Sequence, residues 1–367
     1  LSRFLLLPPD TRQQQIQSEL AVFYDRGGLP AVMDALYRWE LAAGYITPEK
    51  LEMNECLRFY DADYEIDFHV QVNRARSGYT PGPPAGNRQP PVHCAICREN
   101  LGRPGKEALR VFEFALKDGT AAARGAANIS PDFFLQLTPY PVFPYHFVVI
   151  TLEPEPMRVN RQSMGEMVRF EALAPGYTVC SNSDVRGAGS SIVEHHHLQV
   201  FKGLTLPVMT AGVCEVFEAP GCSVELLHYP LSALRVRGDT ADRPVRDMNA
   251  NAVLDTAAAI VENWKSREPG ANTVNLIYSA ECGTPCFHII FRNPAHQIPV
   301  ELKRIKQEGI GIIEASGTGI FPVPAGPEKD DIWAEIRNEG KNVMLGILRG
   351  IDPLPAGREA VVKELIP

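Results

Sequence analysis

Ser190-Ser191-Ile192-Val193-Glu194-His195-His196-His197-Leu198-Gln199-Val200-Phe201 is the most informative stretch of the chain. Ile192, Val193, Val200 and Phe201 favour extended backbone, so 191–201 reads as a strand. Alternate side chains of a strand share a face. His195, His197 and Gln199 then point one way, and His196, Leu198 and Val200 the other. Successive polar groups on the first face lie about 6–7 Å apart. Such a face is buried only against something polar. Directly upstream lies Ser181-Asn182-Ser183-Asp184-Val185-Arg186-Gly187-Ala188-Gly189. Its glycines let backbone N–H groups approach a ligand and form an anion-binding nest. A phosphate-cradling loop running into a histidine-bearing strand makes a coherent site for phosphate chemistry. The competing reading is a run of histidines on a solvent-facing or partly packed strand.

Outward from this stretch, short β-branched or aromatic segments bounded by Gly and Pro read as strands near 66–73, 109–116, 133–138, 145–152, 177–181, 212–217 and 222–228. Residues 160–172 read as a helix among them. Residues 11–25 and 29–41 read as helices, and 78–92 as a Pro/Gly-rich loop. After residue 230 a helix at about 247–266 precedes strands at 272–279 and 286–292, and the tail from Glu328 is helical. Strands and helices mix without strict alternation, which predicts an α+β fold with antiparallel sheets. Helix-then-strands occurs on both sides of residue 220. The chain therefore reads as two halves, 1–220 with a helical N-terminal extension and 221–367 with a helical tail.

The 367 residues suit two moderate domains or one duplicated fold. A net charge of −8 argues against a polyanion-binding surface, so no nucleic-acid partner is expected. No apolar run approaches the roughly 20 residues that span a bilayer, and no targeting signal is read. Eight cysteines are too sparse for a disulfide scaffold and fit a reducing cytoplasm. The pair Cys94-Ala95-Ile96-Cys97 supplies two thiolates with structural zinc geometry but leaves two ligands missing. Ordinary buried thiols are its competing reading.

Asn182, the small-residue loop and His195-x-His197-x-Gln199 resemble the signature of the histidine triad superfamily. A final Gln in place of the third His is similar to its transferase branch, which includes galactose-1-phosphate uridylyltransferase, diadenosine tetraphosphate phosphorylase and GDP-glucose phosphorylase. The resemblance implies two histidine-triad-like halves. It implies that His197 attacks an α-phosphorus to form a nucleotidyl-histidine, that Gln199 binds the phosphoryl oxygens, and that His195 is structural or a metal ligand. Asn182 would lie near ribose or phosphate, with Gly189, Ser190 and Ser191 lining the phosphate loop. The branch also implies a metal on Cys94, Cys97, His195 and one further ligand. Pro144-Tyr145-His146-Phe147-Val148-Val149-Ile150 resembles a family strand that a His usually follows. Here Glu153 and Glu155 follow instead, and Glu155 is the expected substitute ligand. Arg76, Lys202 and Arg292 are candidate phosphate contacts, each with a surface charge as its competing reading.

The resemblance implies an enzyme that passes a nucleoside monophosphate from a nucleotide sugar or dinucleoside polyphosphate to phosphate or a sugar phosphate. A structural zinc and no organic cofactor are expected. The C-terminal half completes the cleft or stabilises a homodimer. The alternatives are a nucleotidyl hydrolase and a non-catalytic nucleotide-binding protein of the same fold.

Overall fold

The computed structural model describes residues 13–47, 49, 52–74, 94–117, 130–138, 141–239, 246–280, 283–306, 309–354 and 357–367. The loop 78–92 and the expected contact Arg76 lie outside the described residues. Helix α1 (Gln13–Ala42), in fact two helices joined by a kink at Gly27 and Gly28 where the sequence predicts a break, leads into strands β1 (Glu55–Asp61) and β2 (Ile66–Val72). Then follow β3 (Phe112–Phe114), β4 (Phe133–Leu137), β5 (Phe147–Thr151), α2 (Arg161–Leu173), β6 (Tyr177–Ser181) and β7 (His197–Lys202). The next run is β8 (Val213–Ala219), β9 (Cys222–Leu227), β10 (Ala233–Gly238), α3 (Arg246–Arg267), β11 (Thr273–Ser279) and β12 (Cys286–Arg292). The chain closes with α4 (Ile312–Ala315), β13 (Thr318–Phe321), α5 (Lys329–Gly350) and α6 (Arg358–Leu365).

One sheet carries ten of these strands in the order β3-β4-β5-β7-β6-β11-β12-β10-β9-β8. Every neighbouring pair in it is antiparallel. Three strands, a helix and two strands occur twice in succession. The two sets occupy mirror positions in the order, with β6 against β11 at the centre. The expected α+β class with antiparallel sheets and two similar halves is borne out. The small sheet β1-β2-β13 draws on both ends of the chain, β13 pairing parallel to β2. Strands β1, β10 and β13 escaped the sequence reading. Alternation in β1 is masked because Cys56, Arg58 and Tyr60 are exposed, and β13 is only four residues long.

Alternation sorts the large sheet into two faces. Leu198, Val200, Leu276 and Ile289 pack with Met164, Met167 and Phe170 of α2 and Ile260 and Trp264 of α3. Cys180, Phe201, Ile277 and Ile290 pack on the other face with Ile336, Met344 and Leu348 of α5. His197 and Gln199 belong to this second face by register. The β3 edge is closed by side chains rather than by a strand. Gln13 donates to the Val111 carbonyl and accepts from its N–H, at 2.6 and 3.2 Å. Gln17 does the same for Glu113, both at 2.9 Å. Two helical amides four residues apart reproduce the spacing of a strand partner, which removes an open edge.

Candidate active site

The strand at the histidine run begins at His197, not at residue 191. Residues 191–196 leave the strand as their backbone bonds pass to the segment after β5, although His196 still meets Thr151 at the end of β5. His196 N–H donates to the Glu155 carbonyl at 2.6 Å, and the His196 carbonyl accepts from Thr151 N–H at 3.1 Å. The facing pattern survives this. His196 is buried against α2, on the side of Leu198 and Val200, with Nε2 donating to Glu166 Oε2 at 2.9 Å.

His197 stands opposite Ile150 of β5 and is 7% exposed. Its Nδ1–H donates to the His195 carbonyl at 2.8 Å. In a neutral imidazole one nitrogen carries the proton and the other holds the lone pair. Committing Nδ1 as donor therefore leaves the lone pair on Nε2. Burial pushes the His197 pKa down to about 4, so the ring is neutral at physiological pH. A neutral imidazole with a fixed tautomer is a ready nucleophile.

The adjacent His195 is oriented by the opposite pattern. Its Nε2–H donates to the Thr151 carbonyl at 2.8 Å. Its Nδ1 lies 3.3 Å from Cys94 Sγ and 3.4 Å from Cys97 Sγ, and the two sulfurs are 2.9 Å apart. These three ligand atoms lie within 4.8 Å of one another. A carbonyl behind the distal nitrogen is the arrangement that presents an imidazole lone pair to a metal. The donor set of two sulfurs and one nitrogen suits a thiophilic cation such as zinc. Burial and the Cys94 sulfur push the Cys97 thiol up to about 12, so its thiolate needs a cation beside it. The residues present fit a metal with three protein ligands.

Glu155 is not brought to that group. Its carboxylate pairs with Lys117 and Arg158, whose charges outweigh the effect of burial and lower its pKa. Arg158 continues to Glu166 at 2.7 Å. A chain of alternating charges thus runs from Lys117 to the buried Glu166 and ends at His196. Burial alone would raise the Glu166 pKa, but the His196 hydrogen bond and the Arg158 charge hold it below the usual carboxylate range. The sequence reading missed Glu166. Its signal was position: it falls among Ser163, Met167 and Phe170 on the buried stripe of α2.

The loop residues are engaged with the C-terminal half. Asn182 Oδ1 accepts from Ile312 N–H at 2.9 Å, at the first turn of α4. Gly189, at φ 98°, packs its Cα against the Ile310 carbonyl. Ser190 Oγ donates to the Ile192 carbonyl at 3.2 Å, and Ser191 is exposed. Arg292 is 2% exposed and donates to Asn275 Oδ1 at 2.6 Å and to the Ile310 carbonyl at 2.8 Å. Arg292 therefore shapes the segment against which Gly189 packs. Lys202 ends β7, roughly 16 Å along the strand from His197, where it pairs with Asp34 at 3.2 Å and lies over the Tyr145 ring. The structure brings together His195, His197, Cys94 and Cys97, and carries Gln199 two residues along the same strand face. It does not bring Lys202 or Glu155 to them.

Two more buried histidines have a thermodynamic consequence. Burial pushes His146 and His288 down to about 3, against about 6.5 in an unfolded chain. Above pH 6.5 both states are neutral and nothing is lost. As pH falls from 6.5 towards 3, the unfolded chain takes up protons that the native state refuses, so stability falls. Each histidine is expected to remove roughly 2 kcal/mol between pH 7 and pH 5. Urea denaturation at the two pH values checks this, and an unchanged midpoint would contradict it.

No family model matches the chain. In sequence it is similar to the galactose-1-phosphate uridylyltransferases, so the expected resemblance to the transferase branch is borne out. It is 27% identical to that of Bacillus subtilis over 259 residues, covering 62% of this chain and 46% of the relative. It is 26% identical to that of Bifidobacterium longum over 331 residues, covering 83% and 59%. The chain spans about half the length of these curated relatives. Among solved structures, yeast Ap4A phosphorylase in complex with AMP superposes with a TM-score of 0.53, over 88% of this chain and 94% of that one. At 13% identity this likeness shows a shared fold.

Proposed function

We propose that this chain transfers a nucleoside monophosphate group through a covalent adduct on His197. The observation that carries the reading is the His197 Nδ1–H bond to the His195 carbonyl, which leaves Nε2 unprotonated. His197 Nε2 attacks the α-phosphorus of the donor. The N–P bond forms as the bond to the leaving phosphate oxygen breaks, and the leaving group departs with the electron pair. An oxygen of the acceptor then attacks the same phosphorus and the N–P bond breaks, restoring neutral His197. Throughout, Nδ1–H stays on the His195 carbonyl and spreads the charge that develops on the ring. Gln199 contributes amide hydrogen bonds to the phosphoryl oxygens. Positioning and charge stabilisation, rather than further covalent chemistry, account for most of such a transfer.

The donors are nucleotide sugars or dinucleoside polyphosphates, and the acceptor is phosphate or a sugar phosphate. Similarity to galactose-1-phosphate uridylyltransferases and the fold shared with Ap4A phosphorylase support these classes. Cys94, Cys97 and His195 hold a structural zinc that ties the 94–97 turn to the start of β7. All seven described cysteines are free, which supports a cytoplasmic protein. No described helix is long and apolar enough to cross a membrane.

The test is intact mass after incubation with UDP-glucose, GDP-glucose, ADP-glucose or diadenosine tetraphosphate, without acceptor. An adduct of one nucleoside monophosphate names both mechanism and base. No adduct with any donor, on folded protein, rejects the covalent reading in favour of a hydrolase without a trapped intermediate or a nucleotide-binding protein. Zinc is tested separately. Wild-type protein is expected to carry one zinc per chain by elemental analysis, and Cys97→Ser to lose it with a fall in melting temperature. Zinc retained in Cys97→Ser would remove Cys97 from the ligand set.

A further inference from the structure

His146 has no part in the transfer as described, yet it is held beside Gln199 by several independent contacts. It immediately precedes β5, and its ring packs at 4.4 Å between centroids against Phe201, the next residue after Gln199 on that face of β7. Its Nδ1 accepts from Val142 N–H at 3.4 Å. Val142 is itself fixed, its carbonyl accepting from Gln71 Nε2 at 2.9 Å. An imidazole nitrogen that accepts is unprotonated, so the ring proton lies on Nε2. That Nε2 is buried, and the Gln199 side chain is its hydrogen-bonding neighbour.

The backbone that aims this ring is also unusual. Tyr145 has φ 54°, in the left-handed region that a non-glycine residue adopts only under strain. It is held there by a stack on Tyr37 at 4.0 Å and by Lys202 Nζ 4.6 Å above its ring. A strained turn clamped from both sides, feeding a buried donor, is a device for placing one group.

We infer that His146 is a positioning residue for Gln199: its Nε2–H takes the amide oxygen, so that the amide NH2 is turned towards the phosphoryl oxygens in front of His197. A free carboxamide turns over easily, and in the wrong sense its oxygen would face the substrate oxygens. His146 removes that choice, because a ring that only donates at Nε2 accepts no amide N–H. Its burial keeps the ring neutral at pH 7, with a pKa pushed down to about 3. The inference rests on the reading of His197 as nucleophile, but one arm of its test does not.

The first arm is kinetic. His146→Phe keeps an aromatic ring and removes the donor. It is expected to slow adduct formation roughly 10–100-fold while changing donor affinity by less than about threefold. In a Gln199→Ala background the same substitution is expected to change the rate less than about twofold, because its effect passes through the amide. His146→Gln, whose amide can donate, is expected to recover part of the loss. Equal rate losses in both backgrounds would overturn the inference and leave His146 a packing residue. The second arm is long-range nitrogen–proton correlation of the histidine rings at pH 7, which needs no turnover. It is expected to show His146 as the Nε2–H tautomer, with a nitrogen shift that moves in Gln199→Ala. A Nδ1–H tautomer, or a resonance blind to Gln199→Ala, overturns the inference whether or not an adduct forms. If the wild type forms no adduct while the resonance responds, the nucleophile reading fails and the His146–Gln199 contact stands.

Discussion

His197→Ala is expected to abolish nucleotidyl adduct formation and to lower turnover by about four orders of magnitude or more, the scale seen when a covalent nucleophile is deleted. The fold should survive the change. His197 donates its side chain only to the His195 carbonyl, and that carbonyl can take water once the ring is gone. The loss should lie in the chemical step. Donor binding, followed by a nonhydrolysable analogue, should change by less than about tenfold, because no group that grips the base is removed. His195 and His196 offer no substitute nucleophile. The first is turned to the thiols and Thr151, the second to Glu166. An adduct that persists in His197→Ala would show that another residue attacks phosphorus.

Gly189→Ala is expected to destabilise the protein by about 3 kcal/mol or more, combining left-handed strain with overpacking. The residue sits at φ 98°, and a Cβ there would lie 1.8 Å from the Ile310 carbonyl oxygen and 2.6 Å from its carbon. The obstacle is backbone, so no rotamer change relieves it. Nor is the 310 segment free to retreat. Its carbonyl accepts from the buried Arg292, Ile312 N–H is held by Asn182, and Gly311 N–H by Glu314 at 3.1 Å. Glu314 is in turn fixed by the buried Lys306 at 2.8 Å. Urea denaturation checks the prediction. A midpoint equal to that of wild type would mean that the loop and the 310 segment part readily. Gly187→Ala, also at positive φ, makes the useful control. Its Cβ would meet only the Pro294 side chain at 3.4 Å, so it should cost less.

These two residues show what was legible beforehand and what was not. The expectation for His197 came from the resemblance that its motif carries. His-x-His-x-Gln on alternating positions, after a Gly/Ser loop, specifies a polar face. The grouping of Cys94 and Cys97 with His195, across about a hundred residues, was likewise expected from the resemblance, since the Cys pair by itself left two ligands missing. What holds these groups was not readable, since it is largely backbone. The carbonyls of His195 and Thr151 fix two tautomers, and a carbonyl leaves no mark in sequence. The expected roles of Asn182 and Gly189 near phosphate came from the resemblance and the small-residue loop, and that of Arg292 from a charged residue type on a strand. The fold uses their hydrogen-bonding capacity and small size to join its halves. Buried Arg and Asn side chains serve either purpose, and only the partner distinguishes them. The strand expected over 191–201 was shortened where the Glu155 carbonyl and the Met157 N–H, some forty residues upstream, bond His196 and Val193.

The glutamine closure of β3 sets which part of the molecule opens first. Protection of the Val111 and Glu113 amides against solvent hydrogen exchange depends on Gln13 and Gln17, so it lasts only while the first turns of α1 stay docked. Those two amides will therefore exchange with the free energy of helix undocking, while the ladder at β6 and β11 exchanges with that of the whole sheet. The rim of the sheet beside the candidate metal centre thus forms a separate cooperative unit, controlled by a helix more than ninety residues away in sequence.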